Sequence, residues 1–174
     1  MNEKIYVFAL DVDGVLTDGK FLWDANGNKV YKEFGPDDAD ALKLLANYMD
    51  IVLFSKDKKG FEISKSRAEH MGFPIMYMNT TERMEYLREH YGLEHVIYMG
   101  DSFVDAPLMD LVAYGIATKT SSFFAKGVAY YITSTGGGER AVAEAVFWIM
   151  KNILKLDKVE IGRDCYLPID KIGF

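Results

Sequence analysis

The chain has 174 residues, enough for one well-buried domain and short for two. Its hydrophobic fraction of 49% and charged fraction of 26% are those of an ordinary soluble globular protein. The net charge of -6 argues against binding a phosphate backbone, so nucleic acid is not an expected partner, and no stretch approaches a membrane span.

The single cysteine, Cys165, cannot form an internal disulfide. An apolar N-terminal run ended so soon by Asp11 does not make a signal peptide, and a cytoplasmic protein is expected. That run belongs to the stretch Ile5 to Gly19, IYVFALDVDGVLTDG, on which the chain is centred. Its β-branched, aromatic and aliphatic residues suit a strand buried on both faces, which stops at Asp11 and Asp13. Side chains two apart on an extended chain point the same way, but Gly14 breaks the strand and lets the second acid turn aside. Two acids at the mouth of a sheet suit divalent-metal and phosphoryl chemistry, against the plainer reading of an Asp-Gly turn. A calcium loop does not fit, because Gly14 falls at the fourth position and Val15 at the fifth.

Next, KFLWDANGNKVYKEF places strand-like runs on either side of Asn26-Gly27, predicting a hairpin over residues 20–34. Phe21 and Trp23 face one side and Leu22 the other, while Val30 and Phe34 oppose Tyr31. With apolar groups on both faces, part of the ribbon is expected to pack on another subunit, the alternative being that it lies on its own domain. Pro36 with Asp37 and Asp38 opens a helix carrying Leu42, Leu45 and Met49. Residues 51–55 form a buried strand ending at Ser55, followed by a polar loop and a helix from about Phe61 to Met71, closed by Gly72. A short strand from Ile75 to Tyr77 leads to a helix capped at Thr80-Thr81 and ended near Tyr91. Val96 to Met99 is a further strand, and it stops at Asp101, with Asp105 close behind. Short helices near 108–111 and 122–126 and strands at 114–117 and 130–132 follow. Gly136-Gly137-Gly138 then opens a long apolar helix from about Glu139 to Leu154.

Such alternation predicts an α/β doubly wound parallel sheet, Rossmann-like, with helices on both faces. Ligands in such sheets bind beyond the carboxyl ends of the strands, which is where Asp11, Asp13, Ser55, Asp101 and Asp105 fall. The three glycines followed by Glu139 and Arg140 offer amides at a helix start, suited to a carboxylate or phosphate and pointing to Gly138 and Arg140 as substrate contacts; a plain loop is the alternative. His70, His90 and His95 show no metal-ligand spacing, and the nine methionines look like core filling.

In their order, the DVDGVLTDG string, Ser55 at a strand end and Gly100-Asp101-Ser102 with Asp105 resemble the haloacid dehalogenase superfamily of phosphotransferases. The hairpin directly after the first motif, the lack of an inserted cap domain and the late GGGER segment resemble its small capless branch, which includes phosphatases of octulosonate 8-phosphate and nonulosonate 9-phosphate. The resemblance covers about residues 5–150 and implies a phosphatase domain over 1–154 with a tail over 155–174. It implies Asp11 as nucleophile and Asp13 as general acid and base. It also implies one Mg2+ held by Asp11, the Asp13 carbonyl and Asp101, with Asp105 in support, and Ser55 as a donor to the phosphoryl group. Lys56 and Asp57 stand where the octulosonate enzymes usually carry glycine and arginine, so substrate contacts there differ. The family's lysine beside the nucleophile is replaced by Arg83 on spacing from Tyr77, with Lys56 the other candidate for that task. A homotetramer joined through the hairpin is implied, with Arg163 a candidate contact to a neighbouring site but a surface tail the favoured reading. The rival functions are a non-catalytic regulatory or scaffolding subunit and a phosphoacceptor signalling domain.

Overall fold

The computed structural model describes residues 7–173. Ile5 and Tyr6 of the expected first strand lie outside the described residues. Strand β1 spans Val7–Asp11 and is buried throughout. A short ribbon of β2 (Leu22–Trp23) and β3 (Lys29–Tyr31) follows, then α1 (Asp38–Leu45), β4 (Asp50–Ser55), α2 (Phe61–Met71), β5 (Ile75–Tyr77) and α3 (Thr80–His90). The second half adds β6 (Val96–Gly100), α4 (Ala106–Leu111), β7 (Tyr114–Ala117), α5 (Phe123–Val128), β8 (Tyr131–Ile132) and α6 (Ala141–Asn152). It ends in an antiparallel pair, β9 (Lys158–Gly162) and β10 (Cys165–Pro168).

Among the described residues, six strands form one parallel sheet in the order β5-β4-β1-β6-β7-β8. The chain builds outward from β1 to β4 and β5, then returns to the other side of β1 with β6. That reversal puts the crevice beside the end of β1, where Asp11 stands. The alternation of β1 serves both faces: Phe8 and Leu10 join the core under α1, α2 and α6, and Val7 and Ala9 join the core under α3, α4 and α5. This double burial is why the strand reads as an unbroken apolar run.

Two local expectations change. The cap of α3 is Asn79 rather than the threonine pair: its side chain accepts from the Glu82 amide while Glu82 reaches back to the Asn79 amide. Residues 155–173 are not a loose surface tail, because β9 and β10 pair and bring Val159 and Ile169 into the main core, where both are buried. Among the described residues, no helix is long and apolar enough to cross a membrane.

The hairpin forms where expected, turned by Asp24 to Asn28 with the Asp24 carboxylate accepting from the Asn26 and Asn28 amides. Phe21 and Trp23 do share a side, in edge-to-face contact at 5.7 Å. That side leans on its own domain through lysines: Lys59 lies over the Trp23 ring and donates to the Gly27 carbonyl at 2.7 Å. Leu22, Trp23, Val30 and Tyr31 nevertheless remain about half exposed or more.

Candidate active site

The acids of the site are carried to one place by two strand ends and the start of a helix. Asp11 is the last residue of β1, and Asp101 directly follows β6. Asp105 sits at the start of α4, with its Oδ2 accepting from the Ser102 amide at 3.1 Å. Carboxylate oxygens of Asp11, Asp101 and Asp105 all lie within 4.8 Å of one another. The turn after β1 closes against them through Gly14, whose φ of +87 is left-handed; a Cβ there would meet Asp101 Oδ2 at 2.0 Å. Thr17, fully buried, steadies this turn by accepting from the Gly14 and Gly19 amides.

Arg83, 1% exposed, enters from α3 on the buried side of the cluster. Its Nη2 lies 2.8 Å from Asp11 Oδ1 and its Nη1 3.3 Å from Asp105 Oδ1. Nη1 also donates to the Tyr98 hydroxyl at 2.8 Å and Nε to the Met78 carbonyl at 3.0 Å. One guanidinium thus spans two carboxylates, a phenol and a backbone carbonyl, which the single nitrogen of lysine could not do. Even so, burial outweighs Arg83 and drives the Asp11 carboxyl well above the usual carboxylate range, with Asp105, Asp13 and Asp101 adding to the push. Burial, then the charge of Asp105, raises Asp101 to about 7.

These acids fit a divalent cation. Beyond its ion pair with Arg83, Asp11 Oδ1 is buried without a hydrogen bond, and three oxygens converge where their charges oppose one another. A hard cation with oxygen ligands answers both conditions.

Asp13 belongs to a different network. Its Oδ2 accepts from the Ser55 hydroxyl at 3.2 Å, and its Oδ1 lies 2.7 Å from Lys32 Nζ. Lys32, whose side chain is fully buried, also reaches Asp57 Oδ2 at 2.9 Å and donates to Ser64 Oγ at 2.9 Å. Asp57 is held in turn by Lys29 at 2.8 Å, and its carboxyl is kept low by hydrogen bonds from Lys29 and Lys32 that exceed the opposing effect of burial. A cavity of about 350 Å³ opens above the acids, lined by Asp11, Asp13, Phe21, Lys56, Asp101 and Ser102, among others.

The structure therefore gathers Asp11, Asp13, Ser55, Arg83, Asp101 and Asp105, with Lys56 exposed at the cavity wall. Arg83, not Lys56, touches Asp11. Gly138 and Arg140 do not join them. The Gly138 amide is spent on the Val15 carbonyl, that of Gly137 on Thr120 Oγ1 and that of Glu139 on the Gly136 carbonyl. Arg140 turns away to pair with Asp37. An anion does sit at the start of α6, but it is the chain's own: buried Asp38 accepts from the Ala143 amide at 2.9 Å. Arg163 lies in the exposed turn between β9 and β10 and is not among the residues lining this cavity. Lys32 and Lys29 escaped the sequence reading; the available sign was a lysine sharing a strand face with Val30 and Phe34.

No protein-family model matches the chain. The chain is 30% identical over 149 residues to 3-deoxy-D-manno-octulosonate 8-phosphate phosphatase KdsC of Haemophilus influenzae, over 82% of this chain and 81% of that one. The solved structure of such a phosphatase from Moraxella catarrhalis, in complex with magnesium, phosphate and KDO, matches with a TM-score of 0.75 and 27% identity, covering 84% of this chain and 86% of that one. The cobalt-bound Haemophilus influenzae enzyme matches with a TM-score of 0.76 and 27% identity, covering 86% of this chain and 89% of that one.

Proposed function

The chain belongs to the haloacid dehalogenase superfamily, in the branch of the 3-deoxy-D-manno-octulosonate 8-phosphate phosphatases, and on that premise we propose that it is a magnesium-dependent phosphatase of a phosphorylated sugar or sugar acid. An octulosonate 8-phosphate or a nonulosonate 9-phosphate is the substrate class in view. The observation that carries this reading is the convergence of Asp11, Asp101 and Asp105 beside a fourth acid, Asp13, that stands apart with its own donors.

In this reading Asp11 attacks phosphorus, the ester P–O bond breaks, and the departing alkoxide takes a proton from Asp13. Water then attacks the aspartyl phosphate and gives its proton to Asp13; the P–O bond to Asp11 breaks, which restores the carboxylate and releases phosphate. Arg83 favours the ionised, nucleophilic form of Asp11 against its burial. Ser55 exchanges its bond to Asp13 for one to a phosphoryl oxygen. Asp11 and Asp101, with the Asp13 carbonyl, are the ligands proposed for Mg2+, and Asp105 orients Arg83 beside them. When bound, such an ion would supply positive charge against the negative charge that spreads over the phosphoryl oxygens. Lys56, at the cavity wall, suits the carboxylate of a sugar acid.

The exposed hairpin supports a homo-oligomer, with a neighbour's ribbon closing a site that has no cap. A homotetramer in the cytoplasm is the corresponding assembly and place. The test is phosphate release from a panel of sugar phosphates and sugar acid phosphates, with and without Mg2+, by wild type, Asp11→Asn and Asp13→Asn. Magnesium-dependent release lost in both variants is expected, by about 10²-fold or more. A folded wild type that releases nothing above the variants would point instead to a regulatory subunit.

A further inference from the structure

Asp13 faces two demands. It must stay close enough to the phosphoryl site to exchange protons there, yet a fourth carboxylate near Asp11, Asp101 and Asp105 has every electrostatic reason to join a cation among them. Its two oxygens are already taken, one by Ser55 and one by Lys32 Nζ at 2.7 Å. The lysine is an unusual choice. Its side chain is entirely buried, which is costly for an ammonium unless it is surrounded by partners. It has three: Asp13, Asp57 and the Ser64 hydroxyl. Those partners come from three separate places, the loop after β1, the loop after β4 and the first turns of α2, so Lys32 is fixed by the tertiary fold and not by its own strand.

Resting on the phosphatase reading, we propose that Lys32 is a positioning residue that holds the Asp13 carboxylate apart from the Asp11–Asp101–Asp105 cluster and ready for proton transfer, and that Asp57, clamped by Lys29, fixes Lys32 in place. Lys29 and Lys32 flank Val30 and Tyr31 at the end of the hairpin, so the ribbon that reaches outward also sets the acid inward. This gives Asp57 a purpose as well: it anchors the cation instead of contacting substrate. The packing is close. A Cβ on Gly60 would stand 2.2 Å from Asp57 Oδ2 and 2.6 Å from Lys32 Cε.

Gly60 provides a test that changes no charge. Its φ of -105 is open to any residue, so Gly60→Ala introduces only a methyl group, against the far ends of Asp57 and Lys32. Lys32→Met removes the cation itself. Both would be assayed with p-nitrophenyl phosphate and Mg2+, beside wild type and Asp11→Asn, with helical content followed by circular dichroism. Its nitrophenolate leaves without needing a proton, so the first step survives and the water step slows. The expected result is kcat lower by about tenfold or more with KM falling in proportion, so that kcat/KM holds within about threefold, and a phosphorylated protein that accumulates in the variants on acid quench but not in wild type. A folded Gly60→Ala with wild-type kcat and no trapped phosphoprotein would overturn the inference, whether or not Lys32→Met folds. A rise in KM at constant kcat would also overturn it, by making Lys32 a substrate contact. If wild type turns over no substrate from this or the sugar phosphate panel, the phosphatase reading itself falls, and the inference with it.

Discussion

Replacing Arg83 with methionine would remove the cation lying 2.8 Å from Asp11 and 3.3 Å from Asp105, with little change in apolar volume. Removing one partner of a buried pair costs about 3–5 kcal/mol, because the other charge stays behind without its answer. The Tyr98 hydroxyl and the Met78 carbonyl would each lose a donor, adding about 1 kcal/mol apiece. Protonation of Asp11 limits the total. Its carboxyl is already raised by burial, and an acid raised in the folded state destabilises that state above its folded pKa and ceases to do so as pH falls through it. The expected loss in urea unfolding without metal is therefore about 3–5 kcal/mol at pH 8 and clearly less at pH 5. Added Mg2+ should recover part of the loss at pH 8, by screening the same carboxylates. Arg83→Lys keeps the charge and should lose about 1–3 kcal/mol, through the missing hydrogen bonds alone. A loss below about 1 kcal/mol for Arg83→Met at pH 8, or the same loss at both pH values, would refute the assignment of Arg83 as counter-charge to the buried acids.

Asp38→Asn isolates the internal anion at the head of α6. Burial raises the Asp38 carboxyl to about 6 from an ordinary 3.8, a gap worth about 3 kcal/mol, so wild-type stability should fall as pH rises between those values while the variant's curve is flatter there by up to that amount, read by urea unfolding across the range. Gly137→Ala would press a Cβ to 2.1 Å from the Gly14 carbonyl and 2.5 Å from that of Thr17; backbone cannot swing aside, so a loss of about 1–3 kcal/mol in thermal or urea unfolding is expected, together with reduced Mg2+-dependent activity as the turn after β1 shifts. If the proposed oligomer forms through the hairpin, Trp23→Ala combined with Leu22→Ala should dissociate it while leaving the monomer folded, as read by light scattering and circular dichroism, because both side chains are about half exposed or more in the single chain. An unchanged assembly would remove the hairpin from the interface.

Elements whose pattern is local were legible. The run VFALD announces a strand buried on both faces, and Gly72 closes α2 at the residue expected, with the left-handed φ of +86 that a closing glycine supplies. What failed were features decided between distant segments. Asn79 outcompetes the threonines as cap because Glu82 stands three residues beyond it and completes the reciprocal pair. The C-terminal residues lie beyond the stretch that carries the family resemblance, and Val159 and Ile169 make sense only once the sheet and α6 offer them a surface. The glycine run was understood in its chemistry and misplaced in its use. A helix start does attract an anion there, but Asp38, 105 residues away from its partner Ala143, already fills that place.

The site divides along the same line. Its acids could be found from sequence because each lies at or just beyond the end of a strand, and strand ends in a parallel sheet converge. Of their counter-charges, Arg83 was reached only through the family resemblance and its spacing from Tyr77, and Lys32 not at all, because both arrive from the side: Arg83 from the first turns of α3 and Lys32 from the residue after β3. Yet the counter-charges are what assign the work. Asp11 is answered by Arg83, which favours its ionised form against the larger effect of burial. Asp13 is answered by Lys32 and Ser55, the contacts that in the proposed mechanism keep it for protons. Asp101, among the described residues, has no ion-pair partner, and it is the acid that burial and Asp105 lift to about 7. Of the acids around the cavity it is therefore the one with most to gain from a divalent cation. That order, one carboxylate matched to an arginine, one to a lysine and one without a cationic partner, is a tertiary property that no single motif carries.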